Sequence, residues 1–371
     1  MQDFFNEIVN QNTAKNILQS IYNSGRVPHA FLFFGPEGVG KFNTAIQFAK
    51  ILNSNTNTKN ADAVISKINS FFEPYVKLVM PLPRGKNETG DDSPTEKLSD
   101  DVLETINLEL QKKRDNLYHK ITIENANSIK INSIRDIKRF IAFNYADVNK
   151  RIIIILEAHL MNEEAQNALL KSLEEPPEGI VFILLTSDKN KLLPTILSRC
   201  WQVDFEPLQP NDIEIILQKF FKIDRQISTH VSKFADGSVY KALQLIENDF
   251  EKLLETTIQI LRYSLGKRYF TAYNALKEIT NDFSNALLKM IIDLIIKWFD
   301  DTYKNKSSYD NYYFKDFLDT IEKFNNKFNS VDIPNVITNL ERLKELIDKN
   351  VSLNIISLCL IFEIAAITIG K

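Results

Sequence analysis

Two rhythms of apolar residues alternate along the first half of this chain, a helical spacing and an unbroken run. Across residues 13–22 the apolar positions Ala14, Ile17, Leu18 and Ile21 fall on one side of a helix that Gly25 ends. Residues 30–34 have no polar face and predict a buried strand, followed by a glycine-rich loop and a second helical stripe at Ala45, Ile46, Phe48 and Ala49. The alternation then continues. Residues 133–143 return to helical spacing through Ile134, Ile137, Phe140 and Ile141, and 151–156 is the next apolar run. A helix begins near Asn162, draws its inward face from Ala165, Ala168, Leu169, Ser172 and Leu173, and stops at Pro176 and Pro177. Residues 180–185 predict a third buried strand. Helices alternating with such runs predict an α/β core, a parallel sheet with helices on both faces.

After Pro207 the pattern changes to short helices over 212–221 and 228–234, with another opened by Gly237 and Ser238 and continued through Ala242, Leu243 and Ile246. From Phe250 onward only helical patterns occur, among them 286–298, 313–328 and 337–347. The expected division is a nucleotide-binding-like domain over 1–206, a small helical lid over 207–249 and an all-helical domain over 250–371. The stretch 81–101 mixes prolines, glycines and charges and is expected to be a mobile surface insertion.

Composition narrows the class. A chain of 371 residues exceeds the ~250 to 300 at which single cores stop growing, so more than one domain is expected. The formal net charge of -3 gives no global attraction to nucleic acid, and no basic stripe interleaved with aromatics supports direct DNA binding. Cys200 and Cys359 are the only cysteines, too few for a disulfide framework or a four-cysteine zinc module. Residues 1–7 lack the blocks of a signal peptide and no long uncharged apolar run occurs. A cytoplasmic protein without membrane attachment is expected.

The chemistry concentrates in two places. Gly35-Pro36-Glu37-Gly38-Val39-Gly40-Lys41-Phe42 has the spacing of a phosphate-binding loop, but Phe42 stands where a hydroxyl should follow the lysine and hold magnesium. The run 152–159 reads as a buried strand ending in a magnesium-binding acidic motif, with Leu156 in place of the aspartate ahead of Glu157. Gly35, Gly38, Gly40 and Lys41 retain the elements of an anion-binding loop at a helix N-terminus, as a residual site at most. Hydrolysis depends on a metal bridging the outer phosphates, so no ATPase activity and no metal site are expected of this chain alone. Cys200 reads as a packing residue, and His29 and His159 as packing and hydrogen-bonding residues.

Three segments carry a family resemblance: Arg26-Val27-Pro28-His29-Ala30 leading into the phosphate loop, the run 167–177, and Leu197-Ser198-Arg199-Cys200. With them the chain resembles the clamp-loader branch of the AAA+ ATPases, and within it the delta-prime subunits of the bacterial DNA polymerase III clamp loader, over roughly residues 1–245. A lone phosphate loop is a weak signal; three family segments in order are a strong one. The resemblance implies that Arg199 projects in trans into the ATP site of a neighbouring subunit, where its planar fork stabilises phosphate charge. It also implies an interface at Ser198, Arg199 and Cys200, with Lys171 and Glu174 either joining it or forming an ordinary i,i+3 surface ion pair.

The departures matter as much. No cysteine occurs over 51–75, where many relatives insert a zinc module, and Tyr240 follows Gly237-Ser238-Val239 where active relatives place a phosphate-sensing arginine. What the resemblance implies is a catalytically inert stator requiring no cofactor of its own, with ATP bound by the neighbouring subunit. Its implied partners are the gamma/tau and delta subunits, with the sliding clamp and primed DNA reached through the assembled DNA polymerase III complex. The alternative is a gamma/tau-type motor subunit with a deviant site. The C-terminal aromatics Phe270, Trp298, Phe299, Tyr312, Tyr313, Phe314 and Phe317 are mostly core by spacing, and any left exposed would need partner subunits to cover them, as in an oligomerisation collar.

Overall fold

The computed structural model of the chain describes residues 5, 7–54, 61–142, 148–281, 284–307, 309–349 and 351–368. Parts of three sequence readings therefore lie outside the described residues: most of the N-terminal stretch 1–7, part of the cysteine-free stretch 51–75, and Phe143 at the end of a helical stripe. By compactness the chain divides into two units, Met1–Ala242 and Leu243–Lys371.

The first unit is built on five parallel strands, β1 (Ala30–Phe34), β2 (Val76–Val79), β3 (Arg151–Ile155), β4 (Ile180–Thr186) and β5 (Trp201–Asp204), in the order β2-β3-β4-β1-β5. Side chains of successive residues leave a strand on opposite faces, and the burial follows that rule. Phe31, Phe33, Ile152, Ile154, Val181 and Ile183 enter one hydrophobic cluster, whereas Ala30, Leu32, Ile153, Ile155, Phe182 and Leu184 enter the other. Both faces are covered, which is why these strands read as continuous apolar runs. Helices α1 (Asn12–Ser24), α2 (Lys41–Asn53), α3 (Ala61–Asn69) and α4 (Asp100–Asp115) supply residues to the first cluster. Helices α5 (Ile131–Ala142), α6 (Glu163–Glu174) and α7 (Pro194–Leu197) supply the second. The helix after β1 and the helix after its neighbour β4 thus lie on opposite faces, an arrangement that opens a crevice at the carboxyl ends of these strands, where ligands bind in open α/β sheets.

Helices α8 (Pro210–Phe221) and α9 (Arg225–Phe234), within the segment expected to form a lid, belong to the first unit. Gln11 ties the unit together near the phosphate loop. Its buried carboxamide donates to the carbonyls of Glu206, at 2.7 Å, and Val39, at 3.3 Å, and accepts from the Glu206 N–H at 3.1 Å.

The stretch 81–101 is not the loose insertion that its composition suggested. Lys130 donates to Glu88 Oε2 at 2.9 Å and to the carbonyls of Pro83 and Pro94 at 3.0 and 2.9 Å. Asn132 reaches Glu88 Oε1 and the Thr89 carbonyl, while Arg135 and Arg139 bond the carbonyls of Gly90 and Asp91. The segment gains from directed polar contacts what it lacks in apolar area, with only Leu82 among its larger apolar side chains fully buried.

The second unit is helical: α11 (Phe250–Leu265), α12 (Tyr269–Ile279), α13 (Asn285–Lys306), α14 (Leu318–Lys327), α15 (Ile333–Asp348) and α16 (Leu353–Ala366), while α10 (Val239–Glu247) spans the division. Its core includes Leu253, Ile260, Leu276, Ile291, Ile295, Phe299, Leu340 and Leu360. Asp301, fully buried, accepts the backbone N–H groups of Tyr313 at 3.1 Å and Phe314 at 2.7 Å and so fixes the chain entering α14.

Lys130→Met should leave the buried Glu88 carboxylate uncompensated and cost about 3 kcal/mol of stability. Denaturant unfolding measures the loss, and limited proteolysis should show new cleavage within 81–101. A variant as stable and as protease-resistant as wild type would show that the tether contributes nothing.

Candidate nucleotide pocket and exposed arginine

Strand β1 runs directly into the glycine-rich loop. Gly35 has φ 142° and a Cβ there would collide with the Phe205 carbonyl, while one on Gly38, at φ 76°, would collide with Ser238 Oγ and crowd Tyr240. The loop is closed against the start of α10 by the Val239 N–H, which donates to the Gly38 carbonyl at 3.0 Å. Only glycine tolerates both the backbone conformation and this proximity.

Behind the loop lies a cavity of 290 Å³, lined by Gly38, Gly40, Lys41, Phe42, Lys113, Leu156, Glu157 and Tyr240 and by the segment 117–123. Lys41 folds back onto its own loop, donating to the carbonyls of Gly35 at 2.6 Å and Pro36 at 2.5 Å. Burial lowers its pKa to about 8 against the opposing pull of Glu157 and Glu37. Burial likewise raises the pKa of Glu157, with the Glu37 carboxylate adding to the effect. Glu157 itself turns out of β3 through a left-handed backbone, φ 48° and ψ 49°.

The two positions where the sequence pattern would place metal ligands are apolar and buried. Phe42 is 6% exposed, with its ring 5.4 Å from that of Phe71 in an edge-to-face arrangement, and Leu156 is 8% exposed in the same cluster. Neither position offers an oxygen, so the residues present do not fit a nucleotide-bound magnesium ion. No cluster of three His, Cys, Asp or Glu side chains among the described residues has the geometry to hold a metal elsewhere.

Sequence reasoning missed the fourth wall of this cavity. Helix α4 brings in Lys113, whose ammonium lies 4.3 Å from the centroid of the Phe42 ring and donates to the carbonyls of Leu117 and His119. Tyr118 lies over Gly40, its hydroxyl 3.5 Å from where a Cβ would stand, and burial pushes its pKa up to about 12. Lys120 pairs with Glu37 at 2.6 Å; burial works against its charge, but Glu37 outweighs that and the pKa is raised. The lysine pair Lys112-Lys113 at the end of a charged helix was the available signal, and its ordinary reading is a favourable helix C-terminus.

Arg199 is not among the residues lining this cavity. It follows the short helix α7 at the start of edge strand β5, about a third exposed, donating to the Thr195 carbonyl at 2.9 Å and pairing with Glu174 at 2.7 Å. Glu174, one turn from Lys171 on α6, thus bonds Arg199. Lys171 is exposed on α6, and Ser198 Oγ donates to the Thr195 carbonyl at 3.1 Å. Cys200 is buried in the second cluster and its thiol pKa is pushed up to about 12 by burial, as befits a packing residue. Beside it Trp201 is half exposed. His29 bonds the Leu173 carbonyl and His159 the Thr186 hydroxyl, both at 3.0 Å.

A glycine loop between β1 and α2, an acidic residue after β3 and the strand order β2-β3-β4-β1-β5 define a phosphate-loop α/β core of the AAA+ class. The family profile described as DNA polymerase III, delta subunit, matches residues 10–209, more than half of the chain, and the chain belongs to that family. It is 28% identical over 249 residues to DNA polymerase III subunit tau of Bacillus subtilis (strain 168), a match covering 66% of this chain and 37% of that protein. It is 26% identical over 304 residues to DNA polymerase III subunit gamma of Buchnera aphidicola subsp. Schizaphis graminum, covering 79% of this chain and 73% of the relative. Among solved structures, a DNA polymerase III gamma subunit-related protein from Thermotoga maritima MSB8 aligns with TM-score 0.48 and 15% identity, covering 95% of this chain and 99% of that one. No helix among the described residues is long and apolar enough to cross a membrane.

Phe42→Ser restores a hydroxyl but should cost about 3 kcal/mol or more, because it empties a packed aromatic site. It should confer no magnesium-dependent hydrolysis, since Leu156 still offers no ligand. Denaturant unfolding and phosphate release by the isolated wild-type and variant chains check both parts; wild-type turnover that Lys41→Ala abolishes would show a working site.

Proposed function

We propose that this chain is a delta-prime-type stator of a DNA polymerase III clamp loader, inert at its own nucleotide pocket and lending Arg199 to the ATP site of a neighbouring subunit. The observation that supports this reading is a contrast within the first unit: Phe42 and Leu156 are buried and apolar where the cavity would need metal ligands, while Arg199, about a third exposed, is not among the residues lining that cavity. A guanidinium at such a position presents a two-pronged donor suited to phosphate oxygens. Its bond to Glu174 joins two partly exposed side chains, a pairing worth about 0 to 1 kcal/mol, so exchange of that carboxylate for a phosphate meets little resistance. In this role the chain needs no cofactor of its own, acts in the cytoplasm beside gamma/tau and delta subunits, and meets the sliding clamp and primed DNA through the assembled complex.

The C-terminal unit supports assembly. Trp298, Phe299 and Phe314 are core, but Phe270 is 77% exposed, and Ile355, Leu358 and Phe362 of α16 stand exposed as well. Tyr269 of α12 and Phe362 of α16 touch, with ring centroids 5.4 Å apart, so exposed apolar surface of the two helices meets there. An apolar patch of this kind fits a collar in which neighbouring subunits cover it.

The names of the relatives favour a second reading, a gamma/tau-type motor with a deviant site. Phe42, Leu156 and Tyr240 weigh against it, because each replaces a different element of ATP chemistry.

Arg199→Ala should leave assembly intact and lower ATP turnover and clamp loading by the reconstituted complex, with a loss of about 10³ to 10⁵ at the one site it serves. Arg199→Lys should not rescue fully. Steady-state ATPase and clamp-loading assays at matched complex concentration decide it; unchanged values in both would make Arg199 an ordinary surface residue. Phe270→Asp combined with Phe362→Asp should abolish co-elution with partner subunits while leaving the thermal midpoint of the isolated chain nearly unchanged. Continued stoichiometric co-elution would remove the collar role from this patch.

A further inference from the structure

Where a metal-holding hydroxyl would normally follow the phosphate-loop lysine, this chain has an aromatic ring with an ammonium resting on it. Lys113 reaches that position from α4, 4.3 Å from the Phe42 ring centroid, and its bonds to Leu117 and His119 account for two of its three protons. Lys41 lines the same cavity, held on loop carbonyls, and Lys120 enters it paired to Glu37. Three lysines thus face two carboxylates, Glu37 and Glu157, in a cavity whose floor is the N-terminus of the 13-residue helix α2. The excess is positive, and both bonds that hold Lys41 and the pair that holds Lys120 involve groups that a phosphate oxygen can replace.

We infer that the cavity is a metal-independent site for a polyphosphate anion, in which Lys113 supplies the positive charge that a divalent cation supplies in a working phosphate loop, with Lys41 and Lys120 completing the charge. The ligand class is a chain of two or three phosphates, free or as part of a nucleotide. This rests on the pocket alone and not on the clamp-loader role, so it stands or falls separately from the Arg199 assays.

Protonation gives the site a signature. Burial lowers the pKa of Lys113 to about 7 and that of Lys41 to about 8, both against the attraction of Glu157 and Glu37. The other groups facing them are Tyr118, Lys120, Tyr240 and His119, the last bonded to Glu109 at 2.8 Å. An anion binds the charged forms, so binding takes up protons and is tightest below the Lys113 pKa. Affinity should fall as pH rises through the two values, by up to about tenfold per unit for each lysine that must gain a proton.

Titration calorimetry of the full chain with inorganic tripolyphosphate, ADP and ATP, each in EDTA and in excess magnesium, tests this. Binding is expected in EDTA and should not tighten with magnesium. Tripolyphosphate against the nucleotides separates a free polyphosphate from a nucleotide ligand. Lys113→Met should weaken binding by about tenfold or more on the acid side and flatten the pH profile. If that variant does not fold, Lys120→Gln, which removes a less buried charge, should show the weaker affinity on its own. Binding only with magnesium, wild-type affinity in a folded Lys113→Met, wild-type affinity in Lys120→Gln where Lys113→Met does not fold, or no heat with any of the three anions would each overturn the proposal.

Discussion

Phe42 is packed between the ring of Phe71 and the ammonium of Lys113, and the start of α2, the phosphate loop and the end of α4 all lean on that arrangement. Burying a phenylalanine contributes about 1.5 to 3 kcal/mol, an edge-to-face partner adds about 0.5 to 1.5, and a desolvated cation over the ring adds about 2. A metal-holding hydroxyl at 42 and a carboxylate at 156 would instead place polar groups in the same cluster, at a cost of several kcal/mol until a ligand arrived. The packing that stabilises this loop and the lack of a metal-binding oxygen at positions 42 and 156 are therefore one structural fact. A phosphate loop built for magnesium is least comfortable when empty; this one is closed and satisfied by its own side chains, with Lys41 on Gly35 and Pro36 and Lys120 on Glu37.

Lysine and arginine divide the work according to where they sit. The cavity uses lysines, whose charge responds to burial, and Lys41 and Lys113 show it by their lowered pKa values. The exposed end of α7 uses arginine, which keeps its charge in any environment a protein offers. In the trans role proposed for it, Arg199 would have to be desolvated at another subunit's site without losing its proton, a condition that a guanidinium meets where an ammonium would not. In the chain itself Arg199 is paired with Glu174, and both side chains are partly exposed.

The strands that were legible in the sequence are the three at the centre of the sheet. β1, β3 and β4 are buried on both faces, and that burial writes an uninterrupted apolar run. The two edge strands left no such trace. β2 carries Lys77, whose ammonium pairs with Glu73 and Asp136, and β5 buries only Val203 of its four residues. Helix α4 was missed for a related reason: half of its residues are charged, with Leu108 exposed, and the one that matters here is a lysine whose long stem makes it a cavity wall. Legibility tracked apolar burial. Contacts made by polar groups, such as Lys130 on Glu88 or Gln11 on Glu206, have no period and no composition, so the tether of 81–101 had no counterpart in the pattern.

The phosphate loop was legible because glycines are forced there by backbone crowding against Phe205 and Ser238, whatever the loop goes on to bind. Its chemistry was legible only as a subtraction, through Phe42 and Leu156. What took the vacated place was not, since Lys113 lies some seventy residues further along and meets Phe42 only because α4 supplies the same sheet face as α2. A degenerate motif therefore identifies which group has gone, but the replacement belongs to the three-dimensional neighbourhood. Here that neighbourhood is cationic, with Lys41, Lys113 and Lys120 around a loop whose positions 42 and 156 offer a metal no oxygen, and it is this charge that the proposal of a phosphate ligand rests on.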